Sequence, residues 1–176
     1  MSYYYLAASL PVITMDAPPA MTFSEFQKQC ELHLADKHKT MLGTLFGECS
    51  YQAESRFIKN WKDRETQLRN TIAKHRAHKQ NKDAVQYIKD HNGFESNMND
   101  TVDAAFSAPT PLDRERALDN LRWNTIEELE GFDEFSIDAI LGYALKLKIA
   151  ERWASMDEKT GQSKADELIN QELSDE

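Results

Sequence analysis

Glu127, Glu128, Glu130, Asp133 and Glu134 crowd into eight residues of this chain. Paired carboxylates can do acid–base chemistry when an apolar pocket raises the pKa of one while its neighbour stays ionised. Here they fall at a helix end and the following turn without an apolar pocket beside them, so a solvated, like-charged surface is expected. The histidines are His33, His38, His75, His78 and His91. His75 and His78, three apart, place two imidazoles on one helix face as a zinc site would. Lys74, Arg76 and Lys79 surround them, and a positive setting repels a cation, so no metal is expected. The chain carries no phosphate-binding loop, dinucleotide fingerprint, nucleophile elbow or HExxH. An enzyme, a cofactor and a small-molecule substrate are therefore not expected.

Recognition is the other chemistry the residues offer. Arg116, Arg122 and Arg152, with Trp123 and Trp153, are of the types that dominate interface energetics. They have an ordinary reading too, with each Trp in the core and each Arg covering it through its aliphatic stem. Both readings stay open. Tyr3, Tyr4 and Tyr5 point in three directions on any helix, so one ring is expected buried and another hydroxyl free for water or a partner. Arg56 to Lys89 holds ten Lys or Arg against three acids, a surplus of seven, while eleven face twenty-seven elsewhere. Such a segment suits either nucleic acid or anionic lipid, or is a solvated helix face, the commoner outcome.

The elements that must position these residues read as helices. With 176 residues at 40% hydrophobic, one core is the default, and only three Val (Val12, Val85, Val102) stand among many Ala, Leu, Lys, Glu and Gln. An all-α bundle is expected, a single domain over 1–176. Thr22 and Glu25 have capping-box spacing before Phe23, Phe26, Cys30 and Leu34, and Asp36 can cap a second helix ending near Gly47, so 23–50 is a helical hairpin. A long helix over about 51–80 carries a narrow stripe of Phe57, Ile58, Trp61, Leu68 and Ile72; at 1.5 Å per residue it spans about 45 Å, so part of it should project. Its partner is expected over Asp83–Asp90 and again through Met98, Val102, Ala105 and Phe106, making 51–107 one unit.

The central pair spans 110–157. Thr110 caps, Pro111 suits the first helical position and Asp113 sits in the first turn. Ala117, Leu118, Leu121, Leu129 and Phe132 share one face, the expected core face. Leu112, Trp123 and Ile126 fall opposite, as a second packing contact or a docking patch. After Ser136, Ile137 to Leu147 is apolar nearly all round and marks the domain centre. Residues 158–176 form a polar tail, marginal as a helix. Cys30 and Cys49 come without the basic start of a signal peptide, so reduced thiols in a cytoplasmic protein are expected, and no run of 18 apolar residues spans a membrane.

The run ALDNLRWNTIEELEGFDEFSIDAILGYALKLKIAERWASMD, with the opening SYYYLAASLP, resembles an uncharacterised bacterial family encoded beside V-type ATP synthase subunits. That family is similar to a short form of the V-type ATPase socket protein (lettered C, or d in eukaryotes), the all-helical piece that seats the rotor shaft on the membrane ring. The resemblance implies a non-catalytic coupling role, with V-type subunits of the central stalk or membrane ring as partners. The protein would sit at the inner face of the plasma membrane, touching the membrane only through those partners. Candidate partner-binding residues are Tyr3, Tyr4, Tyr5, Arg116, Arg122, Trp123, Ile126, Arg152 and Trp153. The alternative is a nucleic-acid-binding or adaptor module using 56–89, the less favoured of the two.

Overall fold

A computed structural model describes residues 3–47, 55–93 and 96–156. Its helices in chain order are α1 (Tyr4–Ser9), α2 (Phe23–His33), α3 (Asp36–Phe46), α4 (Arg56–Lys79), α5 (Met98–Phe106), α6 (Pro111–Glu130) and α7 (Ile137–Ala154), with a 3-10 turn at Val85–Tyr87 before α5. Among the described residues there is no strand, and the fold is an all-α bundle. None of these helices is long and apolar enough to cross a membrane.

Local chemistry sets several helix ends. The Thr22 hydroxyl accepts from Glu25 N–H at 3.3 Å while the Glu25 carboxylate accepts from Thr22 N–H at 2.8 Å, a complete capping box. Thr110 accepts from Asp113 N–H at 3.0 Å and Ser136 from Ala139 N–H at 3.1 Å. Asp36 is not a cap; Ala35 holds that position, and Asp36 lies in the first turn, where its charge meets the positive helix end. Gly47 closes α3 at φ 75° and Gly131 closes α6 at φ 72°, a region that costs a side chain energy.

Two apolar clusters divide the interior. The larger gathers sixteen buried residues, among them Leu6, Phe26, Phe57, Ile126, Leu141 and Leu147. The smaller has five: Leu68, Met98, Val102, Ala105 and Leu118. Helices α4 and α6 belong to both. The first half of α4 (Phe57, Ile58) enters the larger cluster and the second half (Leu68) the smaller, whereas α6 does the reverse, with Leu118 in the smaller and Ile126 in the larger. The expected centre is in place, since Ile140, Leu141, Ala144 and Leu147 of α7 are all at most 1% exposed.

This crossing makes Ile126 a second packing contact, one of the two readings of its face, and corrects the placing of Phe132 in the core. Ile126, set opposite the expected core face, is fully buried, while Phe132, placed on that face, is fully exposed beyond Gly131. A helix with different neighbours at its two ends cannot be described by one wheel. The expected partner at Val85, Tyr87 and Ile88 is also corrected, because these side chains are exposed and only a 3-10 turn forms. The segment instead returns along α4 by polar contacts: the Asn70 amide donates to Lys89 C=O at 2.7 Å and accepts from Lys89 N–H at 3.0 Å, and Asp63 accepts from Asn92 N–H at 3.0 Å. Helix α4 runs about 36 Å, and Ala77 is still buried, so what extends past its neighbours is the last turn with His78 and Lys79. Cys49, the start of the expected long helix at 51–54 and the tail at 158–176 lie outside the described residues.

Candidate interaction site

Where α4, α6 and the end of α7 meet, between the two clusters, lies a network of charged side chains. Asp119 of α6 is 1% exposed. Its carboxylate accepts from Arg122 Nη1 at 2.9 Å, from Trp153 Nε1 at 2.8 Å and from Arg152 Nη2. Arg122 also forks onto Glu65 of α4, through Nε at 3.0 Å and Nη2 at 3.2 Å, and Glu65 in turn pairs with Arg69 at 2.8 Å. Burial lowers the Arg122 pKa, but Glu65 and Asp119 outweigh it, and the net shift is upward. Arg116 bonds Asp16 and places its guanidinium 5.4 Å from the Trp153 ring centroid. Of the residues singled out from sequence as interface anchors, Arg122, Arg152 and Trp153 are thus brought together on a buried aspartate, and Arg116 joins them through the Trp153 ring. Such donors are engaged, and the arrangement cross-braces three helices.

Trp123 stands apart. It is half-buried, donates its indole N–H to Glu127 at 2.9 Å, and lies 5.8 Å from Lys146 Nζ. Lys146 pairs with Glu130 at 2.9 Å. Burial pushes the Glu130 pKa up, partly offset by Lys146, so the acidic cluster does contain one buried carboxyl, contrary to the fully solvated expectation. Gly142 makes room for it, since a Cβ there would run into the Glu130 side chain, its Cγ included. Asp119 did not stand out in the sequence, and Glu130 was legible only as one of a solvated acidic cluster. Asp119 had a usable signal, because Leu112, Arg116, Asp119, Trp123 and Ile126 recur at three- and four-residue spacing on one face.

The three tyrosines separate as one buried and two exposed. Tyr3 is buried; its N–H donates to Phe135 C=O at 2.7 Å, and its hydroxyl accepts from Ala35 N–H at 3.4 Å and stands 2.5 Å from His38 Nδ1. Burial, then Lys37, holds His38 below the usual imidazole pKa, which favours the neutral ring beside Tyr3. Tyr4 is 62% and Tyr5 74% exposed; Tyr4 meets the Phe135 ring at 4.4 Å and Tyr5 the His33 ring at 5.1 Å. Phe132, in the acidic turn, is exposed as well. Of the other histidines, His75 lies 3.0 Å from Asp103 and stacks on Phe106 at 4.2 Å. Cys30 is buried, which pushes its thiol to about 12, an unreactive setting.

Two grooves of about 480 Å³ each follow α4 and share Arg69 and Tyr87. One is bounded by the return segment and α6, with Ile72, Ala77 and Leu118 and the charged Arg76, Lys82 and Glu115 in its lining. The other extends past Trp61 and Lys62 to Leu45 of α3. No curated protein and no solved structure matches this chain. Residues 37–176 match the family described as "Protein of unknown function (DUF2764)", and the chain belongs to that family.

Proposed function

We propose that this protein is a non-catalytic docking and coupling component associated with a V-type ATP synthase, similar in role to the socket protein that seats the rotor shaft. One observation carries most weight. The two stretches that carry this resemblance, the opening residues and 112–157, are far apart in sequence, yet their described residues form one body. Tyr3 N–H bonds Phe135 C=O, Leu6 is buried in the larger cluster with Ile140 and Leu141, and the Tyr143 hydroxyl donates to Pro11 C=O at 2.9 Å. At their junction Tyr4, Tyr5 and Phe132 remain exposed, the residue types that anchor interfaces. The role this supports is mechanical: a braced helical body presents these exposed rings to the central stalk or membrane ring and transmits force without bond chemistry. The neighbouring acids suit a partner surface with a basic rim.

The test is co-purification from the native cell with the tagged full-length chain. V-type subunits should be recovered, and a Tyr4→Ser/Tyr5→Ser/Phe132→Ser variant with unchanged melting temperature should lose them. Recovery of none of these subunits by the wild-type chain would reject the assignment; equal recovery by the variant would reject the three rings as anchors.

A further inference from the structure

The groove between the return segment, α4 and α6 has features that the docking reading does not use. Its lining includes an apolar strip of Ile72, Ala73, Ala77 and Leu118 among charged side chains. Among the described residues neither Arg76 nor Lys82, at its edge, has an ion-pair partner, whereas Arg122 and Arg69 are held by Glu65 and Asp119. Tyr87 leaves 57% of its surface exposed beside them. Two such cations on an acidic protein of net charge −9, set beside an exposed aromatic ring and an apolar strip, describe a ligand with an anionic end and a flat apolar end.

We propose that this groove binds a mononucleotide. The phosphates lie against Arg76 and Lys82, since guanidinium and ammonium groups are the usual phosphate donors. The base stacks on Tyr87 over the apolar strip, and Glu115 at the rim accepts from a ribose hydroxyl or an exocyclic amine. The groove has room for a mononucleotide, since about 480 Å³ lies within the usual range of small-ligand sites. Glu115 would repel the phosphate chain of a strand continuing toward α6. The site is independent of the exposed rings at α1 and the α6–α7 turn, so either can fail alone.

The experiment is titration of the full-length chain with a fluorescent adenosine diphosphate at low salt, with inorganic pyrophosphate and a short single-stranded oligonucleotide as separate competitors. Saturable binding is expected, weakened about tenfold or more by Arg76→Glu/Lys82→Glu and about fivefold or more by Tyr87→Ala, each with wild-type melting temperature. Pyrophosphate should compete less well than the nucleotide. Absence of binding, pyrophosphate competing equally while Tyr87→Ala has no effect, or binding of the oligonucleotide alone would each overturn the proposal. The last result would reassign the strip along α4 to single-stranded nucleic acid.

Discussion

Asp119 shows how much a single buried carboxylate can organise. It accepts from two arginines and an indole, so replacing it removes the shared partner of three donors. Arg122 keeps Glu65, and Arg152 is exposed enough for water to replace the lost bond. Asp119→Ala should therefore cost about 3 kcal/mol, the low end for breaking a buried pair. Urea denaturation measures it, and a loss under about 1 kcal/mol would show that the network does not brace the helices. His38 supplies a pH dependence whose sign follows from its direction of shift. Its folded pKa lies below the unfolded value, so the unfolded chain binds the proton more readily, and stability falls as pH drops through about 6.5 toward the folded pKa. Glu130 and Asp138, both raised by burial, act oppositely at lower pH, gaining stability as they protonate. Comparing His38→Gln with wild type between pH 7.5 and pH 5.5 isolates the histidine, and a flatter stability profile in the variant is the expected result.

At the scale of elements, the contact between the end of α6 and α7 rests on a missing side chain. Ala is better than Gly within a helix by about 1 kcal/mol, and Gly142 lies inside α7. Gly142→Ala should nevertheless destabilise by about 1–2 kcal/mol, because the new methyl displaces Glu130 and breaks its pair with Lys146. In a Glu130→Ala background the obstruction is gone, and the same change should become neutral or stabilising. Thermal denaturation of the four proteins completes this cycle, and additive effects would remove Glu130 as the cause.

For the whole molecule, the unequal clusters imply unequal local stability. Sixteen buried residues support α7 and its neighbours, against five around α5. Local opening takes less free energy where fewer apolar contacts must be broken. Amide hydrogen exchange should therefore be slower over Ile140–Leu147 than over Met98–Phe106, by about tenfold or more, equivalent to about 1.4 kcal/mol. Equal protection would mean that the charge network couples the two clusters into one opening unit.

Composition and capping determined the fold class and several helix ends, because these depend on neighbours within a few residues. Thr22 with Glu25, Thr110 with Pro111, and Ser136 act through bonds of that short range. The apolar run of α7 likewise foretold its central place, since a helix apolar all round has to be enclosed. Which face of α6 is buried was decided only in three dimensions. That helix leaves one cluster and enters the other, so Ile126 is core and Phe132 is not. The exposure of Val85, Tyr87 and Ile88 belongs there too, as Asn70 and Asp63 hold the return segment by its backbone rather than by its apolar side chains. The Arg and Trp types were legible as recognition chemistry, but a residue type does not say whether its partner is another molecule or an aspartate of the same chain. Burial of Asp119 among those donors answered that for Arg122, Arg152 and Trp153, because a desolvated carboxylate must be met by nearby donors and draws them inward.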